Sequence, residues 1–139
     1  MRALGIDLGS RTVGMAISDY LGMIATPIGT ERIEENDLAS ALEIVKAQVK
    51  EKQVDRIVLG LPKNMDGSVG FQAEYCKKFK TMLEEELKLP VIMLDERLTT
   101  KMAHSAMLSA DMSRNKRKQN VDKIAASIIL QSYLDSNPR

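Results

Sequence analysis

The sequence predicts an α/β fold built on a mixed five-stranded sheet. Three short apolar runs, separated by turn residues, follow one another within the first 28 residues. After them, helical and strand patterns alternate. Short turns join antiparallel strands, whereas a strand reached through a helix rejoins its sheet in parallel. We therefore expect three antiparallel strands followed by two parallel ones, flanked by helices.

The first three strands are rich in Leu, Ile, Val and Met, as half-buried strands usually are. They are predicted at residues 2–8, 12–18 and 23–28. Pro27 has no amide hydrogen to give to a neighbouring strand. The third strand is therefore expected to lie at the edge of the sheet, or to leave the ladder at this proline.

The remaining elements follow from helical spacing of apolar residues and from capping residues. They are a helix with Asn36 or Asp37 as N-cap, a strand at 55–59, a helix at 71–88, a strand at 91–94, a helix from Thr99 or Thr100 to 109, and a helix from Asn120 to about 136. This order of elements is that of the ribonuclease H-like fold. The length suits one domain, and we expect residues 1–139 to form it.

The composition narrows the possible functions. No apolar stretch approaches the roughly 18 residues that span a bilayer, and the chain opens on a strand pattern rather than an export signal. We expect a cytoplasmic protein without a membrane partner. One His and one Cys cannot build a tetrahedral zinc site. Oxygen ligands for hard cations remain, and the single Cys76 is expected to be a buried apolar residue.

The charge is unevenly distributed along the chain. Residues 97–123 hold seven basic and two acidic side chains, a formal charge of +5, and the other residues sum to −4. Such a basic segment can meet a polyanion although the net charge is only +1. Because 4% of the residues are aromatic and Trp is absent, stacking on unpaired bases is not indicated.

Asp7 lies within "GIDLG", in the middle of an apolar strand. Burying a carboxylate there costs several kcal/mol unless it is paired, hydrogen-bonded or bound to a cation. Arg11 could pair with it, it could cap a turn, or a metal ion could bind it. Gly5 and Gly9 carry no side chains, and we expect them to leave room for a phosphate backbone beside the acid.

Two further acids can join Asp7. Glu96 follows the fifth predicted strand in "VIMLDERLTT", and Asp122 opens the last predicted helix in "NVDKIAASIIL". Ala125 and Ala126, one turn further on, let that helix approach a sheet closely. Converging carboxylates around one or two divalent ions are typical of nucleases with this architecture.

Each of these later acids also has a structural interpretation. Glu96 and its neighbour Asp95 can end a strand or pair with Arg97. Asp122, in the first turn of a helix, would be stabilised by the helix dipole by about 0.3–1 kcal/mol. The sequence leaves open which of Asp95 and Glu96 faces Asp7, because neighbours on a strand point to opposite faces.

Four motifs occur in order along the chain: "GIDLGSRTVGMAISD", "GLPKNMDGS", "DERLTT" and "VDKIAASIIL". Together they resemble the YqgF family, described as Holliday junction resolvases and as pre-16S rRNA nucleases. The resemblance covers essentially the whole chain. It implies a ribonuclease H-like endonuclease of the bacterial cytoplasm, dependent on Mg²⁺ or Mn²⁺, that trims the 5′ end of precursor 16S rRNA. The family's acids carry over onto Asp7, Glu96 and Asp122, with Asp95 as the alternative to Glu96.

Basic and polar residues near these motifs are expected to contact nucleic acid through phosphate or sugar. They are Lys63, Asn64, Arg97, Arg114, Lys116, Arg117 and Lys118. The alternative interpretation is a plain surface turn around residues 63–67 and a solvated loop at residues 114–118.

Three other functions compete with an rRNA nuclease. Branched DNA presents the same phosphodiester, so a Holliday junction resolvase fits the same acids. "GIDLGSRTVG" also resembles the first phosphate loop of actin-like and sugar kinases, but 139 residues hold one domain, and Met15-Ala16 stands where a P-loop requires Lys and Ser or Thr. A nucleic-acid-binding module without catalysis is the third. The sequence does not distinguish a monomer from a homodimer.

Overall fold

The computed structural model describes residues 2–61, 71–95 and 114–136. Within these ranges, residues 71, 72, 95 and 114–124 are described by their backbone. The helix predicted at 99–109 lies outside the described residues.

The described residues form five strands and three helices, in the predicted order. They are β1 (Ala3–Leu8), β2 (Thr12–Ser18), β3 (Ala25–Arg32), α1 (Leu38–Lys52), β4 (Arg56–Leu61), α2 (Phe71–Leu87), β5 (Val91–Asp95) and α3 (Arg114–Ser136). None of these helices is both long and apolar enough to cross a membrane.

The strands form one sheet in the order β3-β2-β1-β4-β5. β2 is antiparallel to both β1 and β3. β4 is parallel to both β1 and β5. The predicted mixed sheet is thereby confirmed, because the short turns join antiparallel strands and each helical crossover joins parallel ones.

β3 is an edge strand, as Pro27 indicated. Its ladder with β2 contains a bulge: Met15 pairs with Gly29 and Ala16 with Pro27, so Ile28 is the extra residue. Gly29, with a φ of 149°, adopts a conformation that favours glycine. The bulge accommodates the register shift next to Pro27, and β3 continues beyond it to Arg32. The prediction that this strand ends near residue 28 is therefore wrong.

Alternate residues of the strands pack on opposite faces of the sheet. One face carries the larger core, covered by α1 and α2; it includes Leu4, Ile6, Leu8, Val13, Ile57, Leu59, Cys76, Phe79 and Leu83. The other face carries smaller strand residues under α3; its cluster includes Ala3, Ala16, Val58, Ala126, Ile129 and Leu130. Cys76 is buried, as predicted. We call the second face the α3 face.

Asp37, rather than Asn36, is the N-cap of α1. Its carboxylate accepts hydrogen bonds from the hydroxyl of Ser40 at 2.7 Å and from the Ser40 amide at 3.2 Å. These bonds stabilise the ionised form and lower the pKa of Asp37. α1 ends at Gln53, which has a left-handed φ of 54°.

α3 begins at Arg114, six residues before the predicted cap at Asn120. The residues before Asn120 are mostly Arg, Lys and Gln, which favour helix, and no Gly or Pro interrupts them. The alternative interpretation of 114–118 as a loop is therefore wrong. Asp122 lies in the helix interior. Stabilisation of a first-turn acid by the helix dipole therefore does not account for an acid at this position.

Gly5 allows α3 to approach the sheet. A Cβ added at Gly5 would lie 2.7 Å from the Cβ of Leu130 and 2.8 Å from the carbonyl oxygen of Ala126. The prediction that Gly5 leaves room for a phosphate backbone is therefore wrong, because α3 occupies that space. Gly9 belongs to a tight turn, in which its amide donates to the carbonyl of Thr12 at 2.8 Å.

We expect Gly5→Ala to destabilise the fold by about 1–3 kcal/mol, because the added methyl overpacks the contact with α3. Replacing glycine by alanine within a strand ordinarily stabilises a protein by roughly 0.5–1 kcal/mol, so the sign of the change is diagnostic. Urea unfolding followed by circular dichroism measures it. A variant as stable as the wild type, or more stable, would contradict this account of α3 packing.

Candidate active site

Asp7 lies on the α3 face near the carboxyl end of β1. Ala3 and Gly5, the alternate residues before it, face α3, whereas Leu8 belongs to the larger core. The side chain of Asp7 is partly buried. Carboxyl ends of parallel strands are where ligands and catalytic groups gather in open α/β sheets. β1 thus places an acid at the edge of the sheet where ligand-binding and catalytic groups are commonly found.

Glycines flank Asp7 on both neighbouring strands. In β2, Gly14 is its direct partner. In β4, Ile6 pairs with Leu59, so Gly60 is the next residue of β4 and lies beside Asp7. We call Gly14, Asp7 and Gly60 the Asp7 ledge. Neither neighbour has a side chain, and both glycines are buried, whereas Asp7 between them is partly exposed.

Arg11 does not pair with Asp7. Its guanidinium instead contacts the carboxylate of Glu35 at 3.3 Å, and both side chains are exposed. A backbone hydrogen bond from the amide of Ile33 to the carbonyl of Arg11, at 2.9 Å, holds the two segments together. Across residues 2–61, 71–94 and 125–136, no side chain forms an ion pair or hydrogen bond with the Asp7 carboxylate. The interpretation of Asp7 as a partner of Arg11 is therefore wrong.

The direction of α3 across β1 follows from two contacts. Ala126 lies against Gly5. Further along the helix, the hydroxyl of Tyr133 accepts a hydrogen bond from Arg56 at 3.3 Å, and Arg56 is the β4 partner of Ala3. α3 therefore runs from the carboxyl end of β1 towards its amino end.

Asp122 precedes Ala126 by one helical turn in this direction. Four helical residues advance about 6 Å, and two strand residues advance about 6.6 Å. The two steps are similar in length. α3 therefore carries residue 122 from Ala126 towards the carboxyl end of β1, the end that holds Asp7.

β5 runs two strands away from β1, at the far edge of the sheet. Its even-numbered residues Ile92 and Leu94 pack on the α3 face, and Val91 and Met93 on the larger core. Leu94 pairs with Gly60 of the ledge. The end of β5 thus reaches the same edge of the sheet as Asp7.

The remaining predicted site residues are described incompletely. Lys63, Asn64, Glu96 and Arg97 lie outside the described residues, and Asp95, Arg114, Lys116, Arg117, Lys118 and Asp122 are described by their backbone. Among the described side chains, no three His, Cys, Asp or Glu residues lie together. Asp7 alone among the predicted acids has a described side chain, and its hard carboxylate oxygens suit a hard divalent cation.

Solved structures define the fold. T. thermophilus RuvC in complex with a Holliday junction substrate matches with a TM-score of 0.57 at 12% identity, over 96% of both chains. The fowlpox virus Holliday junction resolvase matches with a TM-score of 0.56 at 18% identity, over 99% of this chain and 100% of that one. At these identities the likeness shows the fold, which is the ribonuclease H-like fold of RuvC-type resolvases.

Sequence comparison gives the family. Residues 1–136 match the family described as "RuvX: Holliday junction resolvase". Relatives from Geobacillus sp. (strain WCH70) and Bacillus cytotoxicus are 51% and 50% identical over 136 residues, which are 98% of this chain and 99% of each relative. Both are named "Putative pre-16S rRNA nuclease". The chain belongs to the RuvX family, also called YqgF, and the predicted resemblance is confirmed.

We expect Mg²⁺ or Mn²⁺ to raise the melting temperature of the wild type, because an ion that binds the folded state stabilises it. An ion at about 100 times its Kd stabilises by roughly 2.7 kcal/mol. Asp7→Asn should abolish this shift in thermal unfolding. Asp55→Asn is the matched control, because Asp55 is an exposed acid paired with Arg56 at the amino end of β4. Equal shifts in Asp7→Asn and the wild type would exclude Asp7 from the ion's site.

Proposed function

We propose that this protein is a divalent-metal-dependent endonuclease that hydrolyses phosphodiester bonds at the 5′ end of precursor 16S rRNA. The observation that carries the proposal is Asp7, a partly buried carboxylate on a glycine ledge at the carboxyl end of parallel strands. The names of relatives at about 50% identity support this substrate. Precursor rRNA is found in the bacterial cytoplasm, where we expect the protein to act.

Glu96, rather than Asp95, is the proposed second acid. Ile92 and Leu94 pack on the α3 face. Side chains alternate along a strand, so residue 96 would take the α3 face if the chain stayed extended for one residue beyond β5. Position 95 would alternate to the other face. We therefore propose that Glu96 shares a face with Asp7.

Asp122 is the proposed third acid. It lies one helical turn before Ala126, on the side towards the carboxyl end of β1, so it would come near Asp7. Because residue 122 lies in the helix interior, stabilisation by the helix dipole in the first turn does not account for an acid there. Three acids from β1, from the chain after β5 and from α3 would meet at one edge. Their mutual repulsion is relieved when a cation binds.

Asp7, Glu96 and Asp122 would hold one or two Mg²⁺ or Mn²⁺ ions, which supply charge neutralisation at the phosphate and an activated water. Oxygen ligands suit either ion. Gly14 and Gly60 place no side chain on either side of Asp7, and the acid itself is partly exposed. The protein would thus contribute the oxygen donors and their orientation.

The proposed nucleic-acid contacts surround this edge. α3 has 23 residues, about 34 Å of helix, whereas the six residues of β1 span about 20 Å. The first turns of α3 therefore extend past the end of β1, and they carry a cluster of basic residues. The proposed contacts are Arg114, Lys116, Arg117 and Lys118 from this extension, and Lys63, Asn64 and Arg97 from the chain that follows β4 and β5.

Branched DNA is the second candidate substrate. The description of the family as a Holliday junction resolvase favours it. The three acids act on a phosphodiester in either nucleic acid, so the site chemistry is common to both. The rRNA substrate is preferred because it is the one named for the relatives at 48–51% identity.

We expect the purified protein with Mg²⁺ or Mn²⁺ to cleave precursor 16S rRNA faster than a synthetic four-way DNA junction. Asp7→Asn, Glu96→Gln and Asp122→Asn should each lower the cleavage rate about 100-fold or more, because each removes charge that holds the metal. Asp55→Asn should cleave at the wild-type rate. Gel analysis of labelled substrates offered side by side measures all four variants.

The proposal fails if neither substrate is cut, or if Asp7→Asn cuts as fast as Asp55→Asn. Cleavage of the junction but not of the rRNA would replace the first candidate by the second. ATP turnover without cleavage of either substrate would favour a kinase-like phosphotransfer instead.

A further inference from the structure

We propose that Arg32 binds a backbone phosphate of the nucleic-acid substrate beside the Asp7 ledge, next to the phosphate that is cleaved. This inference rests on the proposed nuclease function. Arg32 was not singled out by the sequence, and no motif contains it. It follows from the register of the sheet and from the exposure and charge of the side chain.

Arg32 lies on the same face and the same edge of the sheet as Asp7. It pairs with Thr12 of β2. Gly14 and Ala16, the alternate residues after Thr12, belong to the α3 face, and so does Arg32. Since β1 and β3 are both antiparallel to β2, they run in the same direction. Arg32, the last residue of β3, therefore ends at the edge of the sheet where Asp7 lies.

One strand, β2, lies between Arg32 and Asp7. Two strand spacings amount to about 10 Å. In β2, Gly14 at the level of Asp7 is buried, whereas Thr12, the partner of Arg32 at the end of the ladder, is partly exposed. A substrate strand that follows this edge of the sheet past Thr12 can therefore place one phosphate at Asp7 and a neighbouring phosphate at Arg32.

The charge of Arg32 is available to a ligand. Its side chain is exposed, and no carboxylate of the described residues forms an ion pair with it. Arg11, the other arginine near this edge, is already paired with Glu35. Glu31 pairs with Val13, a residue of the larger core, and so faces away from Arg32. An exposed guanidinium matches the fork-like geometry of a phosphate.

The sequence around Arg32 is acidic, because Glu34 and Glu35 follow it closely in the chain. A cavity of about 570 Å³ that Arg32 also lines opens towards α1, because its lining includes Ser40 of α1 and Ile33, which packs against the larger core. The proposed phosphate contact therefore depends on the register and the exposure of Arg32, and not on this cavity.

We test the inference with Arg32→Ala, the conservative Arg32→Lys, and the control Lys78→Ala, which removes the same charge from an exposed position on α2, across the sheet. Binding is measured in the Asp7→Asn background, with a labelled RNA fragment from the 5′ end of precursor 16S rRNA as probe. Arg32→Ala should weaken binding about tenfold at moderate salt. The slope of log affinity against log salt should fall by about 0.7, the value for one lost contact to a single strand.

The same substitutions, made without Asp7→Asn, distinguish an effect on substrate binding from an effect on the rate of the chemical step. Arg32→Ala should raise KM about tenfold with little change in kcat, because the contact is made in the ground state and the transition state alike. Arg32→Lys should restore most of the salt slope and part of the affinity. Thermal unfolding should show the same melting temperature for all three variants.

The inference is overturned if Arg32→Ala matches Lys78→Ala in affinity, salt slope and KM while the wild type cleaves. If the wild type cleaves neither RNA nor junction DNA, the proposed function fails, and a lowered salt slope for Arg32→Ala alone would still support the phosphate contact. The two failures are therefore distinguishable.

Discussion

The close contact between α3 and β1 at Gly5 is the constraint on which the proposed site depends. Because Gly5 has no side chain, the backbone of α3 at Ala126 lies directly on the strand. This contact fixes the height and the direction of α3. Asp122, one turn before Ala126, consequently lies towards the end of β1 that holds Asp7. A larger residue at position 5 would push the helix outward and would separate the acids of the proposed site.

The two faces of the sheet have different roles: one contributes most to stability, and the other carries the proposed active site. The face under α1 and α2 buries large side chains such as Phe79 and Leu59, and it supplies most of the apolar burial. The α3 face carries small residues at the alternate strand positions, among them Ala3 and Ala16. Small residues allow the helix to pack close to the sheet, as it does at Gly5. A strand that is apolar on one side can therefore hold an acid on the other.

The sequence was sufficient to predict the order of the elements and the mixed sheet, because periodicity and turn length are local properties. It was also sufficient to single out Asp7, since an acid within an apolar strand stands out in any local window. The predicted start of α3 was wrong. Asn120 is a typical N-cap residue, but the residues before it favour helix, and the helix already includes them. The sequence also misjudged Gly5, whose role depends on Leu130, a residue 125 positions away.

The sequence alone did not predict which residues are paired on neighbouring strands. Gly14 and Gly60 flank Asp7 only through strand register, and Arg32 shares its face only through the ladder of β3 with β2. Local composition alone predicts an acidic segment at Arg32, because acidic residues lie on both sides of it in the sequence. Neighbours in space that are distant in the chain are set by the fold as a whole, so the ledge and its arginine emerge only from the structure.

The most direct test of the central claim, that Asp7 is a metal ligand of a nuclease site, is a crystal structure of the protein grown with Mn²⁺ and measured for anomalous scattering. The account predicts an anomalous peak within coordination distance of the Asp7 carboxylate, shared with Glu96 and Asp122. Manganese bound elsewhere, with the Asp7 carboxylate contacting only protein or solvent, would contradict it.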